Sequence, residues 1–389
     1  MAKFIIAGGG IGGLATALSI ARRGHAVEVL ERKARFVELG AGIQIAPNGF
    51  HALDRLGVGS EVKSGAVHID ALQLLDAVSA ERLAVLPLGT EYRRRFGNPY
   101  AVVHRSDLYA PLLGACQKHE GITLRAGVAV AGYEHTASGV RVLPVAGAAA
   151  EADALIGADG LRSMVRAQLI GDGAPRVSGH TIYRAVVPMD RVPRSLRWNS
   201  VTLWVGPHWH FVHYPIADGS KLNLAITRDD GSRVAVSGVP ADREHVLSAF
   251  PGMHGTARRF LELGESWRTW VLCDRPPTPN WTDGRVVLTG DAAHPMLQYS
   301  AQGACMALED AVVLGDLLDC PTHRIAERFA QFNAARRERT ARAQDAALWM
   351  GENIYHPSGT EAKARDVMLA EMSADDIMGA VSWLHRHRV

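Results

Sequence analysis

The chain has 389 residues, 47% of them hydrophobic and 21% charged, an ordinary globular composition with room for two or three domains. A formal net charge of +2 points to neither a nucleic acid nor an anionic membrane as partner. Four scattered cysteines, Cys116, Cys273, Cys305 and Cys320, have no metal or redox spacing and read as reduced thiols of a cytoplasmic protein. The first residues lack the order of a signal peptide, and no apolar run is long enough to span a bilayer.

Phe4-Ile5-Ile6-Ala7 is a short apolar run bounded by glycine, suited to a buried parallel strand. Gly8, Gly10 and Gly13 follow with Gly-x-Gly-x-x-Gly spacing. In that pattern the first glycine permits a tight turn, the second lets backbone approach a pyrophosphate, and the third lets the helix pack close to the strand. Leu14, Ala17, Leu18 and Ala21 mark one face of the helix, and Gly24 stops it. Val27 to Leu30 is the next strand. Glu31 ends it 18 residues past Gly13, where an acid meets a ribose hydroxyl pair. Strand, glycines, helix, strand and terminal acid in this order predict a dinucleotide site, but not which dinucleotide.

Further along, Gly40-Ala-Gly-Ile-Gln44-Ile-Ala-Pro-Asn-Gly49 forms a glycine-bounded segment. Val103-His-Arg105-Ser-Asp107 begins a helix, with Ser106 or Asp107 as its cap. Two strands end in acids: Ala154 to Ile156 before Asp159-Gly160, and Val286 to Leu288 before Gly290-Asp291. Taken singly, an Asp-Gly pair is ordinary turn or capping chemistry. A carboxylate at the C-terminal edge of a parallel strand is also a good acceptor for several hydroxyls, at the edge where ligands of such sheets lie.

The N-terminal dinucleotide motif, the central Asp-Gly segment and the late Gly-Asp segment, in this order, resemble the single-component flavin-dependent aromatic hydroxylases of the para-hydroxybenzoate hydroxylase fold. The resemblance implies an α/β protein. A Rossmann-like FAD-binding domain, residues 1–66, 101–176 and 277–345, is interleaved with an antiparallel-sheet substrate domain, residues 67–100 and 177–276. Residues 346–389 form a helical C-terminal segment. It implies FAD as cofactor, NADH or NADPH as a transient co-substrate, and oxygen transfer to a phenolic ring through a flavin C4a-hydroperoxide. The candidate cofactor-binding residues are Gly8, Gly10, Gly13, Glu31, Arg32, Gln44, Arg105, Asp159, Asp291, Gln302 and Gly303. Arg105 is expected on the flavin nucleotide, Asp159 in a segment serving both FAD and the nicotinamide donor, and Asp291 on the ribityl chain.

The loop Gly290-Asp-Ala-Ala-His-Pro-Met-Leu-Gln298-Tyr299-Ser-Ala-Gln302-Gly303 carries more polar side chain than a plain strand-to-helix turn needs. It is expected against the flavin ring, with the helix Ala304 to Leu318 aiming its positive N-terminal end at the pyrimidine edge. His294-Pro295 fixes the turn, and Gln298 and Tyr299 are presented toward substrate. This loop, together with Ile354-Tyr-His-Pro-Ser-Gly359, is most similar to the 3-hydroxybenzoate 6-hydroxylases, which make gentisate. Salicylate and 6-hydroxynicotinate hydroxylases share the framework.

In Trp209-His-Phe-Val-His-Tyr-Pro215, strand alternation puts His210, Val212 and Tyr214 on one face and Phe211 and His213 on the other. By the resemblance His210 and Tyr214 are catalytic together with Gln298. His210, titrating near neutrality, accepts the phenol proton. His213 is the alternative if the register differs. Arg184 could grip a carboxylate in bidentate fashion or form a surface ion pair. The C-terminal helix after Ser373 has a cap-like start and packs on its own domain or on a homodimer mate; His385 to Arg388 read as a solvated end.

Overall fold

The computed structural model describes residues 1–38 and 40–389. Strand Lys3–Ala7 forms where expected, its four apolar residues at most 1% exposed. It is the centre of a six-stranded sheet. On one side lie Ala26–Glu31 and Ile122–Ala126, and on the other Ala154–Gly157, Val286–Leu288 and the short edge Thr282–Asp283. All pairs are parallel except the edge pair. Helix Ile11–Ala21 packs between this sheet and helix Gly303–Leu317, and ten of its eleven residues are buried.

An eight-stranded sheet forms the second layer. Its order is Ser237–Pro240, Arg268–Asp274, Arg176–Pro188, Lys221–Ser232, Trp209–Ile216, Ser200–Gly206, Ala71–Asp76 and Arg82–Pro87. It departs from a purely antiparallel sheet at one pair: Ser200–Gly206 runs parallel to Ala71–Asp76. These two strands are far apart in sequence and need no hairpin, which frees their relative direction.

The strand Trp209–Ile216 is buried on both faces, and its alternation sorts its side chains between two cores. Val212, Tyr214 and Ile216 join the core of the dinucleotide-type sheet. Trp209 and Phe211 join a second core with Trp204, Phe250, Phe260 and Trp267 beneath helices Arg243–Ser248 and Gly255–Glu262. A two-stranded antiparallel ribbon, Gly42–Ile45 with Ala101–His104, lies against the first face.

The C-terminal segment is helical, Gly359–Ala370 then Ala374–His385. A capping box opens the second helix: Ser373 accepts from the Asp376 backbone N–H while the Asp376 carboxylate accepts from that of Ser373. The chain end differs from the solvated tail expected. His385 is buried and shares a 2.7 Å hydrogen bond with the Tyr92 hydroxyl, and Arg55 donates to the Val389 carbonyl at 2.7 Å. The helix therefore packs on its own chain.

Candidate active site

The glycine turn comes first. Gly8 has φ +108°, and a Cβ there would meet the Ala158 carbonyl at 2.3 Å, so strand and neighbouring strand end approach too closely for any side chain. A Cβ on Gly13 would meet the Gly8 carbonyl at 1.9 Å, which ties the helix to the strand. Gly10, the helix N-cap, has nothing within 4 Å of where its Cβ would stand. Backbone there is open to a phosphate at a helix N-terminus. Glu31 is buried, and its carboxylate accepts from the backbone N–H groups of Gly9 at 2.9 Å and Lys33 at 2.8 Å. It orders the glycine turn directly, with lone pairs left for hydroxyl donors. Arg32 is exposed.

Asp159 shows both kinds of chemistry considered for it. Its Oδ2 accepts from Met164 N at 2.7 Å and Val165 N at 3.3 Å, at the start of helix Met164–Leu169. Its Oδ1 is buried without a hydrogen-bond partner among the described residues. Burial raises the pKa of this carboxyl against the lowering effect of Ser163 and the helix N–H groups. Asp291 is exposed at the end of its strand, on the turn Gly290–Ala292. Helix Arg105–Lys118 is capped two or three residues earlier than the expected Ser106 or Asp107. His104 is the N-cap, and Ser106 instead bonds the His104 ring at 2.6 Å. Arg105 pairs with Glu38 at 2.5 Å, and its Nε is buried without a partner among the described residues.

The late loop lies between the two sheets. Gln302 caps helix Gly303–Leu317; its Oε1 accepts from Asn48 at 2.9 Å, and its Nε2 is buried without a partner among the described residues. Gly303 thus stands at an open helix N-terminus, the expected helix beginning one residue sooner. Three orphaned polar atoms, on Asp159, Arg105 and Gln302, together with the open Gly10 cradle, fit a long polar ligand with acceptor and donor groups, as FAD has.

Next to this run the structure gathers the expected substrate residues, with one exception. Gln298 Oε1 accepts from Arg184 Nη2, and its Nε2 reaches the Thr227 hydroxyl at 3.5 Å. Thr227 is the cross-strand partner of His210. Tyr214, hydrogen-bonded to Gln44 and near Arg184 and Arg105, has its hydroxyl pushed up to about 12 by burial. Gln44 also accepts from Tyr100 at 2.5 Å. A Cβ on Gly42 would meet the Tyr214 ring at 2.4 Å, so the ribbon is glycine where the phenol presses on it. Arg184 is half-buried. It forms no ion pair among the described residues, its guanidinium lies 5.5 Å from the Trp270 ring, and burial lowers its pKa. Its Nε has no partner among the described residues.

The exception is His213. His213 faces the other core, stacked on Phe260 at 3.7 Å and accepting from Trp204 Nε1 at 3.1 Å. Strand alternation takes it away from Tyr214, so it is not available as the alternative base. The Tyr299 hydroxyl is engaged by His180 Nδ1 at 2.5 Å, and its ring meets that of His210 edge-on, centroids 5.4 Å apart. His210 itself is 2% exposed, and burial, then His180, push its pKa down to about 3 rather than near neutrality. In this cleft it is a neutral acceptor. A phenolate alongside would favour its charged form and move the pKa back up.

Sequence reasoning missed the frame around these groups. His294 Nε2 bonds Asp310 at 2.6 Å, and Arg336 donates to Asp310 and Glu309, each at 2.7 Å. Asn48 and Arg339 also bind Glu309. Glu309 and Asp310 lie on helix Gly303–Leu317, and nothing in the chain around them points to partners on a later helix. Among the described residues no helix is long and apolar enough to cross a membrane, and no group of His, Cys, Asp and Glu could hold a metal ion.

A Rossmann-type sheet whose glycine turn, Asp159 edge and Gln302 helix end converge on one cleft defines a dinucleotide-binding flavoprotein. The chain belongs to the FAD binding domain family, whose model matches residues 1–348, and FAD is its cofactor. It is 43% identical over 383 residues to 3-hydroxybenzoate 6-hydroxylase 1 of Aquipseudomonas alcaligenes, covering 98% of this chain and 97% of that protein. It is also 43% identical to 3-hydroxybenzoate 6-hydroxylase of Klebsiella oxytoca, covering 98% and 96%. Two solved structures share the fold. Klebsiella pneumoniae HpxO complexed with FAD and uric acid has TM-score 0.86 and 24% identity, over 99% of this chain and 97% of that one. A salicylate hydroxylase substrate complex has TM-score 0.83 and 24% identity, over 99% of this chain and 95% of that one.

Proposed function

We propose that the protein is an NAD(P)H-dependent flavoprotein monooxygenase that hydroxylates a small phenolic acid in the cytoplasm, converting 3-hydroxybenzoate to gentisate (2,5-dihydroxybenzoate). The ring gains one oxygen atom of O2, the other leaves as water, and NADH or NADPH supplies the two electrons. The carrying observation is the half-buried Arg184, whose Nε is buried without a partner and which has no carboxylate partner among the described residues, held by Gln298 near Tyr214. An unpaired guanidinium in the interior is costly unless a carboxylate completes it. The relatives named 3-hydroxybenzoate 6-hydroxylase support the same ring. The cofactor body comprises residues 1–66, 101–176 and 277–345, the substrate body 67–100 and 177–276, and the tail 346–389.

FAD, once reduced by the nicotinamide donor, would activate O2 so that one of its oxygen atoms reaches the ring as an electrophile. The glycine turn, Glu31, Arg32, Arg105, Asp159, Asp291, Gln302 and Gly303 bind it. Gln44 and Tyr214 close the wall between it and the substrate. Arg184 and Gln298 orient the acid, and His210 Nε2 takes or shares the phenol proton, because a phenolate ring donates electrons better. The apolar faces of Val212 and Tyr214 exclude water.

The experiment is a panel of hydroxylated aromatic acids, assayed for stimulated NADH and NADPH oxidation with the product identified. We expect 3-hydroxybenzoate to stimulate most and to give gentisate, and 3-methylphenol, which lacks the carboxylate, to stimulate at least about tenfold less. Greater turnover of salicylate or 6-hydroxynicotinate would replace the substrate. No hydroxylated product from any member would refute the reading.

A further inference from the structure

His356 belongs to the Tyr355-His356-Pro357 motif of the C-terminal segment, outside the catalytic set assigned above. A π-helical turn, Gly351–Tyr355, delivers it between the sheets. The turn is tied on several sides. Tyr355 donates to the Tyr299 carbonyl at 3.1 Å, Arg365 to the Ile354 carbonyl at 3.0 Å, and His208 N to the His356 carbonyl at 3.2 Å. The His356 ring lies edge to edge with that of His210, centroids 5.1 Å apart and planes 29° from parallel. Its Nε2 is 2.9 Å from His210 Nδ1, and its own Nδ1 is buried without a partner among the described residues. His180 meets it edge-on at 4.8 Å.

Two imidazoles joined through one nitrogen each share a single proton on that line. Burial keeps both rings neutral, His356 being pushed down to about 2. If His210 is to take a phenol proton on Nε2, that nitrogen must carry a lone pair, and its own proton must sit on Nδ1. His210 then donates to His356 Nε2, and the proton of His356 stays on Nδ1. The opposite arrangement would turn His210 Nε2 into a donor and leave the phenol without an acceptor.

We propose that His356 is a positioning residue that acts through His210, accepting from its Nδ1 and thereby holding it in the tautomer that can receive the phenol proton. The inference rests on the proposed function. As the phenol proton arrives on Nε2, the Nδ1 proton is already hydrogen-bonded, so the positive charge spreads toward His356 and no bond other than N–H and O–H changes.

The test compares His356→Phe, which keeps the ring volume without an acceptor, with His356→Gln, which keeps an amide oxygen near the place of Nε2. Each is purified with FAD and assayed with 3-hydroxybenzoate for the fraction of NADH electrons that appear in hydroxylated product. Loss of an orienting partner of this kind costs about 10- to 100-fold. We expect His356→Phe to lower coupled turnover at least tenfold with KM for NADH unchanged, and His356→Gln to recover to within about threefold of the natural protein. Equal coupling in His356→Phe and the natural protein would overturn the proposal, as would equal loss in the two variants. If His356→Phe fails to hold FAD, the decision passes to His356→Gln in a His210→Ala background. There the second change must add no further loss, and an additive loss overturns the proposal. A natural protein that hydroxylates no phenolic acid would instead sink the proposed function, so the two failures are distinguishable.

Discussion

Replacing Arg336 with Met is expected to destabilise the FAD-loaded protein by about 3–5 kcal/mol at pH 7, the usual cost of breaking a buried ion pair from one side. Glu309 and Asp310 are 0% exposed, and Arg336 is their shared cation at 2.7 Å to each. Asp310 also accepts from His294 at 2.6 Å and Gly290 N at 3.0 Å, so the same charge pair holds the strand end that carries Asp291. Methionine fills much of the volume and leaves two carboxylates, one of them facing only His294, Thr289 and backbone. Arg339 still binds Glu309, so the larger loss falls on Asp310.

The pH dependence has a definite sign. His294 and then Arg336 at Asp310, and Arg339 and then Arg336 at Glu309, hold both carboxyls below their usual range in spite of burial. Their contribution is full above the unfolded carboxylate pKa of about 4 and is lost as pH falls through the depressed folded values. Arg336→Met removes its part of that benefit at neutral pH, so the gap between the variant and the natural protein should narrow in acid. Denaturant titration at two pH values measures both. A change below about 0.5 kcal/mol at pH 7 would contradict the network's role.

His210→Ala is expected to reduce hydroxylation by about 10²- to 10⁴-fold, the range for loss of a positioned acid–base group. NADH oxidation should continue, its electrons passing to oxygen as hydrogen peroxide. The physical reason is that His210 is the neutral acceptor on the face of the strand that carries Tyr214, beside Thr227 and Gln298. Without it the substrate stays a phenol, a weaker electron donor, while reduction of the flavin needs nothing from His210. Flavin content and KM for NADH should not move. Full coupling in this variant would remove His210 from the chemistry.

Patterns local in the chain were legible. The strand, glycine turn, helix and acid of residues 4–31 are one contiguous unit, and each glycine's spacing constrains it wherever the rest of the fold lies. Alternation along Trp209–Ile216 also sorted His210 from His213. What the sequence hid are partnerships across long separations. Arg336 and Asp310 are 26 residues apart on different helices, and a charged helix ordinarily reads as a solvated face. His356 and His210 are 146 apart, and His385 and Tyr92 are 293 apart. The direction of the Tyr299 hydroxyl is likewise set from a distance, by His180, 119 residues away. The low pKa of His210 was invisible for the same reason: desolvation comes from everything that packs around it.

The central claim is that the cleft holds FAD with a phenolic acid between Arg184 and His210. A crystal structure of the protein purified with FAD and soaked with 3-hydroxybenzoate tests it most directly. The account predicts the flavin's phosphates at Gly10, the substrate carboxylate on Arg184 and its phenol oxygen within hydrogen-bond distance of His210 Nε2. A substrate seated elsewhere, or with its carboxylate turned away from Arg184 and its phenol out of reach of His210, would contradict it.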